Sequence, residues 1–414
     1  MRMDPRPATP GRQADAGHQD ALDGLRAAAA GAVLLANVGG LTGYTLTGTP
    51  VSWAISRGNV GVPVFFALSG LLLYRPWAAA VLAGQPRPRV AAYLRRRALR
   101  ILPAYWAVVL IALPVLNPGP ARSAWPWAQY LLLLQNYDAR PWWRGTGATG
   151  LSQTWSLVVD LSFYLVLPAI AAAIGWLACR GGSGGIEVSR RARRLLAGIA
   201  ALAASSFGWT VLAYYPRPAF WFVGTLPPTM IWFAVGMAIA VASAWAAAEP
   251  GSAGPGRRFC RTVASSTGMC GLIAACAFVI ACTPVTGPEF TGIPSLWDTE
   301  VKTVLFAVVA LALVAPLAFQ PGRGDPMPQV QLVLGGRGPR LLGQVSYGVF
   351  LWQFLVAYAF FDALHLKTAF RGGSYTGLEV AGIVVAVALL TTAAATVSYY
   401  LIERPARRLR PRRG

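Results

Sequence analysis

The chain has 414 residues, of which 55% are hydrophobic and 12% are charged, and its mean hydropathy is +0.50. Soluble domains carry about 25% charged residues, so the composition excludes an ordinary soluble protein and indicates an integral membrane protein. The formal net charge of +21 comes mostly from arginines that cluster in short runs between apolar segments. Cationic loops at one face of a membrane explain this pattern, and we expect no nucleic-acid partner.

Ten apolar segments are long enough to cross the hydrocarbon core of a bilayer as helices. In chain order they occupy residues 25–42, 60–84, 98–116, 155–178, 195–215, 223–246, 266–283, 299–318, 340–362 and 377–402. We therefore predict an all-α, polytopic integral membrane protein with about ten transmembrane helices, a multi-pass protein of the cell membrane. Its predicted organisation is a disordered cytoplasmic tail at 1–20, a membrane domain at 21–408 and a basic cytoplasmic tail at 409–414.

The basic residues also predict the orientation of these helices. When alternate loops are assigned to opposite sides, one side with its bordering residues holds 27 of the 36 basic residues and the other holds 8. Cytoplasmic loops carry the excess of lysine and arginine, so the first side is predicted to be cytoplasmic. Both termini belong to that side, as an even number of helices also requires.

The first predicted helix carries two polar residues, Arg26 and Asn37, in a mostly apolar stretch. They are eleven residues apart, a separation that comes within ~20° of whole helical turns and rises ~16 Å along the axis. Both side chains therefore lie on one face of the helix. Polar groups at membrane depth usually face a protein interior or a wet cavity, so this face is predicted to line a functional cavity.

Six motifs follow one another along the chain. They are LDGLR at 22–26, GVPVFFALSGLLLYRPW at 61–77, YLRRRALRILPAYW at 93–106, LSQTWSLVVDLSFYLVLP at 151–168, SYGVFLWQFLV at 346–356 and YYLIERPARR at 399–408. Together they resemble the acyltransferase 3 family of ten-helix membrane acyltransferases. The resemblance implies transfer of an acyl group, usually from acyl-CoA, to a hydroxyl of a carbohydrate or another small molecule.

The donor site implied by this resemblance is an R-x-x-R pair, Arg97 and Arg100. One helical turn separates the two arginines and places both on one face, and arginine binds phosphate in a bidentate fork. The pair therefore suits the phosphates of acyl-CoA, which is expected as a co-substrate and not as a permanently bound cofactor. The alternative is that these arginines only set the topology, because cytoplasmic loops are basic in any case.

The predicted catalytic residues are Arg26, Asn37 and Asp160. In the family a histidine, the presumed base, stands eleven residues after the arginine, but here the position is Asn37, whose amide does not titrate near neutral pH. Gln353 replaces a second frequent histidine. The acidic residue after WSL is Asp160, which becomes the best remaining base. A structural ion pair or hydrogen bond is the alternative role of Asp160.

The leading prediction is thus a membrane-bound O-acyltransferase. The competing hypothesis is a catalytically silent relative that binds or transports a small molecule or lipid, because the histidine is missing. The five cysteines show no ligand spacing, so no metal site is predicted. Ser69 and Gly70 are interpreted as helix-packing residues. Trp142 and Trp143 are interpreted as interfacial anchors, with stacking against a sugar as the alternative.

Overall fold

The computed structural model describes residues 10–143, 145, 147–180, 188–216, 219–249, 254–289, 294–319 and 328–408. Within these ranges the chain forms helices joined by turns and contains no β-strand. The α-helices are α1 (Pro10–Thr42), α2 (Pro50–Ser56), α3 (Gly61–Leu82), α4 (Val90–Leu116), α5 (Ala124–Leu131), α6 (Trp155–Cys179), α7 (Val188–Tyr214), α8 (Leu226–Ala248), α9 (Pro255–Ser265), α10 (Thr267–Ala281), α11 (Leu296–Ala318), α12 (Gln329–Leu334), α13 (Arg337–Ala363), α14 (Gly377–Ser398) and α15 (Arg404–Arg408).

Among the described residues, nine helical stretches are long and apolar enough to cross a membrane. The all-α, multi-pass architecture is therefore confirmed for this part of the chain. A tenth span depends on α9 and α10, which meet at a bend of 70°. The 15 residues of α10 extend only ~22 Å, which is shorter than the ~30 Å hydrocarbon core. The side of the membrane on which each terminus lies stays a prediction.

The first helix is longer than its apolar segment. It begins at Pro10, so the backbone of residues 10–20, predicted to belong to a disordered tail, continues α1. Arg340 of α13 donates a hydrogen bond to Asp20 at 3.3 Å, which ties this extension to the neighbouring helix. Residues 1–9 and the basic tail at 409–414 lie outside the described residues.

The centre of the bundle is the packed pair α3 and α8. A Cβ atom on Gly70 would meet the carbonyl oxygen of Phe233, and one on Gly236 would meet that of Ala67. The two glycines therefore let the helix backbones touch, as small residues do in membrane helices. The ring of Phe66 stacks on Phe233 with the centroids 4.5 Å apart. Close packing of α3 against α8 holds the residue before Gly70, Ser69, in a defined position.

Three further helices complete the frame of the site. The hydroxyl of Tyr347 on α13 donates to the carbonyl oxygen of Ile101 on α4 at 2.9 Å. Gln153, just before α6, donates from Nε2 to the carbonyl oxygen of Leu351 on α13 at 2.6 Å. Interhelical hydrogen bonds of this kind hold helices in register inside a membrane, where lipid offers no alternative partner. They bring α4, α6 and α13 together beside α1 and α3.

Candidate functional site

A cavity of about 90 Å³ lies where α1, α3, α4, α6 and α13 meet. The polar residues that line it are Arg26, Ser69, Arg97, Arg100, Ser156, Asp160, Tyr164, Ser346 and Tyr347. Apolar side chains that include Phe65, Phe66 and Phe350 form the remaining wall. An intramembrane cavity with several charged side chains is a functional-site hypothesis by default, because charge is costly at that depth.

Four of the five predicted site residues line this one cavity, although they come from three helices. Arg97 and Arg100 reach it from one face of α4, as their spacing predicts. Arg26 reaches it from α1, and its guanidinium donates to Asp23 at 2.5 Å. Its side chain is only 17% exposed. The arginines leave the cavity with an excess of positive charge, which suits an anionic ligand.

Asp160 of α6 is the acidic residue of the cavity and is half-buried. The hydroxyls of Ser69 and Tyr164 belong to the same cavity and lie 3.5 Å from each other. The Oδ1 atom of Asp160 has no hydrogen-bond partner among the described residues. A carboxylate with one unused oxygen in a cavity retains the capacity to accept a further proton or hydroxyl hydrogen bond.

Asn37 is not among the residues that line the cavity. Its Nδ2 donates to Oε1 of Gln353 at 3.2 Å, and Gln353 is 1% exposed. Gln353 lies one helical turn beyond Phe350, a residue of the cavity wall. The structure therefore groups Arg26 with Asp160, and it groups Asn37 with Gln353 towards the other end of α1.

The aromatic loop before α6 packs against the main hydrophobic core. Trp142 and Trp143 contact each other edge to face at 5.2 Å, and both contact the ring of buried Tyr130. The indole nitrogen of Trp142 donates to Oε1 of Gln129 at 2.9 Å. Packing and hydrogen bonding within the loop therefore account for both tryptophans.

The end of the last helix carries a buried carboxylate that is paired with an arginine. Glu403 is 1% exposed, and Arg407 donates to its Oε2 at 3.0 Å. The pair lies four residues apart on one helical face. It belongs to the residues that anchor the end of α14 and α15, and neither partner lines the cavity.

Five polar residues of the cavity were not predicted from the sequence as site residues, namely Ser69, Ser156, Tyr164, Ser346 and Tyr347. Tyr164 stands four residues after Asp160, so the two share a face of α6. This spacing from a predicted base is the sequence signal from which Tyr164 could have been predicted as a site residue. Ser69 was interpreted as a packing residue because it precedes Gly70. The structure separates these roles, because Gly70 contacts α8 whereas Ser69 lines the cavity.

Among the described residues, no group of three or more His, Cys, Asp and Glu side chains is arranged to hold a metal ion. A family model described as an acyltransferase domain matches residues 19–402. The match includes every helix that contributes to the cavity. Comparisons with curated proteins and with solved structures gave no match.

Proposed function

The chain belongs to the acyltransferase 3 family, and from that premise we propose that it is a membrane O-acyltransferase that uses acyl-CoA. The acceptor is a hydroxyl of a carbohydrate or another small molecule. One observation carries the proposal, namely that Arg26, Arg97, Arg100 and Asp160 line a single cavity inside the bundle. This set combines a cationic surface for the donor with a carboxylate for proton transfer.

The arginines are suited to binding the acyl donor, acyl-CoA. Arg97 and Arg100 hold phosphate groups of acyl-CoA through charge-assisted, bidentate hydrogen bonds. Cationic side chains near the thioester carbonyl also stabilise the oxyanion that develops during acyl transfer.

Asp160 suits the proton-transfer step. Acyl transfer to a hydroxyl requires a base that takes the hydroxyl proton, and a positioned carboxylate can do this work. Asn37 cannot, because an amide does not titrate near neutral pH. In this proposal Asp160 is the base, and Arg26 stabilises negative charge in the same cavity.

A second candidate function is supported by the amide pair of Asn37 and Gln353. The family resemblance implies histidine at both positions, and here the two amides satisfy each other at 3.2 Å. A silent relative with this substitution would bind acyl-CoA or a lipid in the cavity without turning it over. The two candidates differ in one measurable step, release of free CoA.

The test is a thioester-release assay on the full-length protein in lipid nanodiscs. Acyl-CoA is supplied with a panel of sugars and macrolides, and free CoA is measured by mass spectrometry. The proposal expects acceptor-dependent release that is lost in Asp160→Asn. Binding of acyl-CoA without release by the wild type, across donors and acceptors, would favour the silent relative.

A further inference from the structure

Most hydroxyl groups of the cavity are already engaged by the backbone. Ser156 donates from Oγ to the carbonyl oxygen of Gln153 at 3.3 Å, and Ser346 donates to that of Gly343 at 2.8 Å. Serines in helices often form such bonds to the preceding turn. The hydroxyl of Tyr347 is likewise directed to a backbone carbonyl, that of Ile101. These three hydroxyls are therefore occupied in holding structure.

Ser69 differs from these residues. Its Oγ lies 3.5 Å from the hydroxyl of Tyr164, and both side chains line the cavity together with Asp160. A serine hydroxyl and a carboxylate base in one cavity are the two groups that an activated serine nucleophile requires. Backbone contact of the adjacent Gly70 with α8 keeps this serine in place.

A covalent step would also let donor and acceptor use this cavity, of about 90 Å³, in turn. The acyl group would then remain bonded to a protein side chain between the two binding events, and that side chain is the carrier.

We propose that Ser69 is this carrier and that the enzyme reacts through an acyl-serine intermediate. Asp160 takes the hydroxyl proton while Oγ of Ser69 attacks the thioester carbonyl. The carbon–sulfur bond breaks, the proton passes from Asp160 to the departing thiolate, and free CoA leaves with an ester left on Ser69. The inference rests on the proposed acyltransferase function.

The second half of the reaction reverses these roles. An acceptor hydroxyl attacks the ester carbonyl and gives its proton to Asp160. The bond to Oγ of Ser69 breaks, and the proton returns to that oxygen. No oxidant, reductant or additional reactant is consumed, because the two steps together exchange one thioester for one ester. The hydroxyl of Tyr164 is placed to donate to the serine oxygen as it leaves.

The test is an isotope-exchange reaction without acceptor. Full-length protein in nanodiscs is incubated with unlabelled acetyl-CoA and deuterated CoA, and deuterated acetyl-CoA is measured over time. An acyl-enzyme returns its acyl group to labelled CoA, so exchange appears even when the intermediate does not accumulate. In parallel, acid-quenched protein is digested and peptides are mapped for an acetyl group on Ser69.

Ser69→Ala is expected to lower the exchange rate by at least about 100-fold, since removal of a catalytic nucleophile has large effects. Ser156→Ala and Ser346→Ala are matched controls in the same cavity and should retain exchange. An acetyl group mapped to Ser69 supports the proposal. An enzyme that turns over with an acceptor but shows neither exchange nor an acetyl group on Ser69 overturns it.

These outcomes are separable from those of the proposed function. If acyl-CoA releases no CoA with any acceptor and no exchange occurs, acyl transfer itself is contradicted. If acceptor-dependent release occurs and Ser69→Ala retains it, acyl transfer stands and the serine carrier is rejected. The wild-type peptide map remains decisive even where Ser69→Ala fails to fold.

Discussion

Asn37 and Gln353 are joined by a hydrogen bond between α1 and α13, with Nδ2 of Asn37 3.2 Å from Oε1 of Gln353. The family resemblance implies histidine at both positions. The two departures therefore fall on neighbouring side chains, and each amide compensates for the other. Gln353 also donates from Nε2 to the carbonyl oxygen of Phe350 at 2.9 Å, so one side chain connects Asn37 with the backbone of the cavity wall.

The first prediction concerns the stability of this pair. Gln353→Leu and Asn37→Leu should each destabilise the protein, because each leaves the other amide without its partner inside the membrane. The double variant should recover part of the loss, with a coupling free energy of about 0.6 kcal/mol, the average for interhelical hydrogen bonds in membranes. Thermal unfolding in detergent measures the double-mutant cycle. Strict additivity of the two losses would contradict the pairing.

The second prediction separates the roles of Asp160 and Asn37. Asp160→Asn should reduce acyl transfer by roughly 10²–10⁴-fold, the usual contribution of a general base. Asn37→His should leave turnover within about threefold and should not rescue Asp160→Asn, because residue 37 meets Gln353 and does not line the cavity. Steady-state rates of these variants with one acyl-CoA and one acceptor panel provide the check. Rescue by Asn37→His would place residue 37 in the active site.

The amino-acid sequence was sufficient to predict the long helices and part of the candidate site. Hydrophobic segments indicated the long helices, and local spacing placed Arg97 and Arg100 on one face. The apolar segment predicted at 266–283 begins where α9 ends, but the helix at Pro255–Ser265 and its bend of 70° to α10 were not predicted, because these arginine-containing residues lie between the predicted apolar segments. Contacts between side chains of helices that are distant in the chain could not be predicted either. Arg26 and Asn37 share a face of α1, but which neighbours each one meets depends on helices that follow far along the chain.

The third prediction concerns the packing of α3 against α8. Gly70→Ala should destabilise the protein and lower acyl transfer, because the added methyl group meets the carbonyl oxygen of Phe233 and displaces the adjacent Ser69. Gly31→Ala is the matched control on α1, since a Cβ atom there has nothing within 4 Å. Melting temperature and turnover of both variants give the test. Equal behaviour of the two alanine variants would show that the close approach at Gly70 is dispensable.

The fourth prediction concerns orientation. The distribution of basic residues places the loop before α6 outside and the C-terminal tail inside. Single cysteines replace Arg140 or Arg412 in a variant without the five native cysteines, and intact cells are treated with an impermeant thiol reagent. Arg140→Cys should react in intact cells, whereas Arg412→Cys should react only after lysis. Labelling of both positions in intact cells would mean an odd number of spans, as expected if α9 and α10 do not cross together.

The last prediction distinguishes donor binding from topology at the arginine run of α4. Arg97 and Arg100 line the cavity, whereas Arg95 and Arg96 on the same helix are exposed and do not. Charge-assisted hydrogen bonds contribute about 1.5–3 kcal/mol each, so Arg97→Gln with Arg100→Gln should weaken acyl-CoA binding roughly 100-fold or more. Arg95→Gln with Arg96→Gln removes the same charge and should leave affinity within about threefold. Calorimetric titration of acyl-CoA into both double variants in nanodiscs measures the two affinities. Equal affinities would mean that all four arginines only set the membrane topology.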